Sequence, residues 1–151
     1  MTYELRPVAS AEDRAAMHAI RRATLFSPDR PGGPVVYDEN HPHDVNPANQ
    51  CFLLVLDEQP IGVVRLDPRG EHEGVVRLVA ILPALQRQGH GRVLGELIEA
   101  EARRRGMAKL GLNAREDAVG FYQRMGWAPE IWDRAELETF ASHCTQMTKR
   151  L

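Results

Sequence analysis

Three apolar runs, 51–57 (CFLLVLD), 60–67 (PIGVVRLD) and 74–82 (GVVRLVAIL), stand almost end to end in this chain. Asp57-Glu58-Gln59-Pro60 and Asp67-Pro68-Arg69-Gly70 punctuate them. Runs of this length, rich in Val, Ile and Leu and bounded by turn formers, read as strands of a meander. A stretch of opposite character follows at once. Pro83 blocks continuation of the third strand. A polar loop, QRQGHGR at 86–92, then leads into Val93, Leu94, Leu97, Ile98 and Ala102, whose spacing predicts a helix over about 91–105. A sheet that passes straight into an amphipathic helix must bury one face against it.

The flanking segments extend the pattern. Residues 3–8 (YELRPV) suit an edge strand, where Pro7 is tolerated. Ser10 can cap a helix over 11–26, with Asp13 at the capping-box position and an apolar stripe of Ala16, Ile20, Ala23 and Leu25. Residues 27–50 break the periodicity with Pro28, Pro31, Pro34, Pro42 and Pro47 and with Gly32-Gly33; a loop this long is functional or disordered. Gly106 behind Arg103, Arg104 and Arg105 is a C-terminal stop. Residues 108–113 predict a strand, 116–125 a helix stopped by Gly126, and 127–132 and 142–150 two short strands. The order predicts an α+β (α/β three-layer) domain over 1–151, with a mixed, mostly antiparallel sheet of six to seven strands flanked by helices.

A chain of 151 residues fits one domain. With 43% apolar and 26% charged residues its composition is that of an ordinary globular protein, and a net charge of −2 argues against a nucleic-acid partner. Of 19 basic residues only Lys109 and Lys149 are lysines, leaving 17 arginines, planar forks suited to carboxylate or phosphate. Cys51 and Cys144 read as buried thiols in a reducing compartment. The first ten residues carry no apolar segment of the signal-peptide kind, and no run approaches the ~18 residues of a membrane span. The expectation is a cytoplasmic protein that does not enter a membrane.

The glycine loop matches neither common nucleotide motif. No Lys-Ser or Lys-Thr follows it, and Gly89-x-Gly91 is followed by Gly95, one residue late for G-x-G-x-x-G. It still has the makings of an anion site. Glycines let the backbone approach a ligand, first-turn amides of the helix point outward unpaired, and Arg87 and Arg92 add charge. The same residues also suit a plain strand-to-helix turn.

Gln86-x-x-Gly89-x-Gly91 resembles the acyl-CoA loop, [QR]-x-x-G-x-[GA], of the GCN5-related N-acetyltransferases. Downstream, Asn113-Ala114-Arg115, Ala118 and Phe121-Tyr122-Gln123-Arg124-Met125-Gly126-Trp127 are similar to that family's N…A…FY…GF signature, with Trp127 in place of Phe. The resemblance implies the acyl-CoA N-acyltransferase fold and acetyl-CoA as acetyl donor, with no metal. The pantetheine would pair with backbone groups of Val79, Ala80 and Ile81. The diphosphate would lie on amides of Gln86, Arg87, Gln88, Gly89, His90, Gly91 and Arg92, with His90 facing solvent, and Asn113 and Tyr122 would complete the cofactor site. Tyr122 would be the acid for the leaving thiolate.

Of the six histidines, His41-x-His43-Asp44 lacks a fourth metal ligand, His18 lies on the first helix and His72 in a turn. His143 opens the last strand. Here the chain resembles the glyphosate N-acetyltransferase branch, which carries arginines in the placements of Arg21, Arg77 and Arg115 and a catalytic histidine on its last strand. The resemblance implies that these arginines hold a small anionic amine and that His143 is the base. Met147 lies four residues after His143, whereas the branch has methionine at the third, and a one-residue slip turns a strand side chain to the other face. Asp38 and Glu39 are alternative bases. Rival readings are a peptide or protein acetyltransferase, to which Asp38, Glu39 and Asp44 would offer an acidic groove, and a coenzyme A sensor without turnover. The C-terminal strands leave pairing into a homodimer open.

Overall fold

The computed structural model describes residues 1–30 and 32–151, so Pro31 of the proline-rich loop lies outside the described residues. β1 (Tyr3–Pro7) leads to α1 (Ala11–Ala23), a short α2 (Pro42–Val45), and the meander β2 (Gln50–Leu56), β3 (Gln59–Arg69) and β4 (Glu73–Ile81). α3 (His90–Arg104), β5 (Lys109–Arg115), α4 (Val119–Arg124), β6 (Ala128–Pro129), α5 (Arg134–Glu138) and β7 (Cys144–Arg150) complete the chain. The strands form one sheet in the order β1-β2-β3-β4-β5-β7-β6. Every neighbouring pair is antiparallel except β4 with β5. This is the mixed three-layer sheet that the sequence predicts.

Strand alternation sorts the core into two layers. Phe52, Leu54, Val64, Leu66, Val76, Leu110, Leu112 and Met147 face α3, where Leu94, Ile98 and Ala102 meet them. Cys51, Leu53, Val55 and Val63 face α1, which presents Met17 and Ile20. Ser10 caps α1 by accepting from the Asp13 amide at 3.0 Å, as its position predicts. Gly106 takes φ +82° just beyond α3, a left-handed stop that glycine adopts without strain. No helix among the described residues is long and apolar enough to cross a membrane.

Three local expectations change. α1 ends at Ala23, three residues early, where the Thr24 hydroxyl turns back onto the Ile20 carbonyl at 2.7 Å. The strand expected over 127–132 shrinks to Ala128–Pro129, because Gln146 Oε1 captures the amides of Trp132 and Asp133 at 2.9 and 3.0 Å. The segment after it forms α5, opened by Asp133, whose carboxylate accepts from the Glu136 amide.

The α1 face of the sheet also buries charge. Arg21 donates to Asp44 at 2.8 and 3.2 Å, and Arg65 donates to the same carboxylate at 2.9 Å. Arg65 also grips Asp67 at 2.7 and 3.0 Å. Asp44 thereby fastens the 27–50 segment to the sheet. Tyr37 adds a second tie, touching His18 and Arg21 through its hydroxyl and packing on Phe26 with centroids 4.6 Å apart. The described part of the long loop thus covers this face through Tyr37 and Asp44.

Burial alone would raise the Asp44 carboxyl, but the hydrogen bonds from Arg21 and Arg65 outweigh it and hold it below the usual carboxylate range. Its contribution to stability is therefore complete above the unfolded value of about 3.9 and is lost as pH falls through the lower folded one. Asp44→Asn should destabilise the fold by about 3–5 kcal/mol at neutral pH, since it leaves the buried Arg21 guanidinium without a carboxylate and takes one of two from Arg65. Denaturant titration checks this, and the variant should lose part of the acid-induced fall seen in the parent below pH ~4.

Candidate active site

β4 and β5 run side by side for only three residue pairs, Glu73 with Lys109, Gly74 with Leu110 and Val75 with Gly111. Beyond them the strands part. β5 stays paired with β7 along its whole length to Arg115 and Cys144, so it is β4 that loses a neighbour. Residues 77–80 of this central strand become half-exposed as a result. β4 also bulges here. Val63 pairs with Ala80 and Arg65 with Arg77, so Leu78 and Val79 oppose Val64 alone. Leu78 takes φ +54°, a strained value for a branched side chain and one that marks sites where geometry is imposed. The edge of Val79, Ala80 and Ile81 that looks into the gap has no strand partner among the described residues, so backbone groups there, the Ile81 carbonyl apart, are free to pair with an extended amide-bearing chain.

At the gap's open end the 86–92 loop forms a cradle. The Gln86 side chain donates from Nε2 to the Ile81 carbonyl at 2.9 Å and the Gln88 side chain from Nε2 to the Ala84 carbonyl at 3.1 Å, fixing the turn. Arg87 and Gly89 both adopt positive φ, +62° and +90°, and Gly89 is the residue before α3. Backbone twisted this way turns successive amides inward as an anion nest, and the first-turn amides of His90, Gly91 and Arg92 extend it. The Arg87 side chain is exposed, while Arg92 pairs with Glu96 across one helical turn at 3.2 Å. The His90 side chain departs from expectation. It is 7% exposed and its Nδ1 meets the Tyr3 hydroxyl at 2.8 Å, because the first residue of α3 points back over the sheet. His90 therefore ties the loop to β1, and only its backbone is left for a ligand.

A narrow apolar cleft of about 20 Å³ lies under the gap, between β4, α3 and α4, lined in part by Val79, Gly91, Gly95, Phe121 and Tyr122. Gly95 permits this closeness, since a Cβ there would meet Met125 at 2.5 Å. Tyr122 stands edge-on between Phe121 and Trp127, with centroids 5.1 and 5.8 Å away. Burial pushes its phenol up to about 12, so it keeps its proton throughout the neutral range. A larger groove of about 770 Å³ runs between α1 and residues 39–51, but neither β4 nor β5 lines it, which sets it apart from the gap.

On the α1 face, polar side chains cover the root of the gap. Arg77 of β4 places both terminal nitrogens on the Glu136 carboxylate at 2.8 Å each, and its Nε on Asp67 at 2.9 Å. Asn113 of β5 donates to Glu136 at 3.1 Å and accepts from Gln146 at 3.0 Å. Trp132 lies over Gly111, where a Cβ would meet the indole at 2.9 Å, and its Nε1 donates to the Leu112 carbonyl at 3.0 Å.

The sequence-derived site residues thus divide. Val79 to Ile81, the 86–92 loop, Asn113 and Tyr122 all border the gap. Arg77 borders it too, but with its charge already matched. Arg115 ends β5 with a half-exposed side chain 3.1 Å from Asp117. Arg21 is a correction: it is 1% exposed and held by Asp44, so it positions the 27–50 cover and offers nothing to a substrate. His143 sits exposed in the turn one residue before β7, outside the strand. Glu39 is paired with Arg22 at 2.6 Å. His41 and His43 pack edge to face, and no group of three or more metal-ligating side chains gathers among the described residues. Glu136, Trp132 and Gln146 escaped sequence reading. Asp133-Arg134-Ala135-Glu136 carries the capping-box signal that could have revealed α5.

Comparison with known proteins agrees with this geometry. The family model of the Acetyltransferase (GNAT) family matches residues 14–127. A Bacillus subtilis (strain 168) protein described as a candidate acetyltransferase is 23% identical over 123 residues, 82% of each chain. A crystal structure of a candidate N-acetyltransferase from Lactobacillus plantarum superposes with TM-score 0.81 at 23% identity, covering 100% of this chain and 99% of that one. N-acetylglutamate synthase from Neisseria gonorrhoeae, solved with coenzyme A and N-acetyl-glutamate, gives 0.71 at 19% identity, covering 100% of this chain and 35% of its own. The parted central strands, the glycine cradle and the family match together establish that the chain belongs to the GNAT acetyltransferase family.

Proposed function

We propose that this protein transfers an acetyl group from acetyl-CoA to the primary amine of a small acceptor bearing a carboxylate or phosphonate. The observation that carries the acceptor class is Arg77. Its planar fork, on the acceptor side of the gap, is already arranged to receive a carboxylate on two parallel bonds. Arg115, half-exposed at the end of β5 on the same face, supplies a second cation at the mouth.

Acetyl-CoA supplies an activated thioester. The free edge of β4 and the amides of the 86–92 loop fit its pantetheine and diphosphate. A backbone N–H on the bulged stretch of β4 would hold the charge that develops on the carbonyl oxygen. The amine attacks the thioester carbon, the N–C bond forms and the C–S bond breaks. One amine proton passes to His143, the base that the family resemblance implies. The departing thiolate takes a hydrogen bond from Tyr122, which burial keeps protonated, and gains its proton from solvent. Direct attack is favoured over an acyl-cysteine route, because burial pushes both the Cys51 and Cys144 thiols up, away from the thiolate form.

The primary test is acetyl-CoA-dependent thiol release over acidic amino acids, aminophosphonates, neutral amino acids, polyamines and short peptides. Turnover confined to the anionic members is expected. Turnover confined to peptides or polyamines would replace the acceptor class and keep the donor. Binding of coenzyme A with no release from any member would favour a sensor.

Arg115→Glu should raise KM for the anionic amine at least tenfold and leave KM for acetyl-CoA within twofold, read from initial rates; an unmoved acceptor KM removes Arg115 from the site. His143→Ala should cost roughly 10²–10⁴ in kcat at neutral pH. A loss under threefold assigns the proton to water or to another group. Tyr122→Phe should lower kcat about tenfold to a hundredfold, the loss of one hydrogen bond to a charged group, with little change in KM for acetyl-CoA. An unaltered kcat ends its role toward the thiolate.

A further inference from the structure

Five buried or half-buried side chains on the α1 face, Arg21, Asp44, Arg65, Asp67 and Arg77, form one continuous line of ion pairs. Three are cations and two are anions. The two carboxylates at Asp44 and Asp67 are each bridged between two arginines, so the line ends at the gap with one guanidinium charge unmatched, that of Arg77. Glu136 matches it. Yet Glu136 differs from the other carboxylates in where it comes from. Asp67 lies on β3 beside its partners, and Asp44 is wedged between two buried arginines. Glu136 is delivered by a five-residue helix inserted between β6 and β7, and its carboxylate has only Arg77 and Asn113 for side-chain partners among the described residues.

A unit positive charge therefore stands at the acceptor side of the gap with a carboxylate of the chain itself seated on it. Two carboxylates cannot share the outer edge of one guanidinium. Any acceptor that uses Arg77 must replace Glu136 one for one, and the replacement conserves both the charge and the hydrogen bonds of the buried line. We propose that Glu136 is an internal stand-in for the acidic group of the acceptor. The seated carboxylate holds the unliganded site neutral, and its displacement selects acceptors with a carboxylate-like group over neutral amines. The inference rests on the anionic-acceptor reading of Arg77 above. Only the fraction of molecules with Glu136 displaced binds, so the apparent affinity for the acceptor is reduced by that fraction. Trp132, whose ring lies 5.9 Å from the Arg77 guanidinium, is placed to report the exchange.

The test is Glu136→Gln, which keeps the shape and removes the charge. Initial rates are measured with matched amines, each as its free carboxylate and as its neutral carboxamide. Relative to the parent, KM for the carboxylate form should fall at least fivefold, while KM for the carboxamide and for acetyl-CoA move less than twofold. In parallel, succinate titrated against parent and variant in the presence of coenzyme A should change tryptophan emission at lower concentration in the variant. If Glu136→Gln fails to fold, Glu136→Asp, whose shorter arm cannot keep both bonds to Arg77, takes its place with the same readouts in smaller measure. An unchanged or increased KM for the carboxylate form, in a parent that turns that form over, overturns the stand-in role and leaves the anionic-acceptor reading intact. A parent that acetylates carboxamides or polyamines but no carboxylate form, and whose emission ignores succinate, overturns both.

Discussion

The parting of β4 from β5 after Val75 and Gly111 is the constraint on which the functional end of this molecule depends. A strand in mid-sheet is ordinarily satisfied along both edges. Here β5 follows β7 instead, and β4 keeps its bond only to β3. That leaves an open ladder edge inside the domain, a liability in most proteins and here the edge to which the proposed function assigns the donor. The bulge at Leu78 and Val79 belongs to the same event. It twists β4 at the point where its neighbour leaves and stores backbone strain there. The glycine cradle lies at the mouth of the gap because Pro83 ends β4 there and α3 begins seven residues later.

The two sides of the gap have opposite character for a physical reason. Toward α3 and α4 the sheet is apolar, and Tyr122 is wedged among aromatic rings, with its phenol pushed up by burial. Toward α1 the same strands carry alternating arginines and carboxylates. Burying so many ions is costly, and replacing such a network by apolar residues is often neutral or stabilising. Its retention here fits a task rather than stability. The line pins the 27–50 cover through Asp44, runs across β3, and terminates at Arg77 beside the gap, so cover, sheet and α5 share one electrostatic connection.

Much of the fold was legible from residue periods. The meander, the long helix with Gly106 at its end, and the Ser10 cap all rest on local rules, and the structure agrees with each. The cradle was legible because the pairing of Gly89 and Gly91 with a strand end and a helix start is a local pattern. Failures came where a side chain from far away decided the outcome. Gln146 took the amides that would have extended β6, and Pro129 could not have donated beyond it. His90 was read as solvent-facing from its place in a polar loop, yet Tyr3, 87 residues earlier, draws it inward.

The arginines show the division most clearly. The family resemblance singles out Arg21, Arg77 and Arg115 as cations for an acidic group. Nothing in their neighbourhoods along the chain says that Asp44, 23 residues on, would enclose Arg21, or that Glu136, 59 residues on, would sit on Arg77. The sequence by itself determined most of the elements, the glycine turn into α3 and the motifs that carry the family resemblance, because helix and strand periods, glycine conformations and helix-terminal amides act over a few residues. Only the tertiary structure decided which charges are free, because ion pairing depends on distances of 3 to 4 Å between residues that the fold alone brings together.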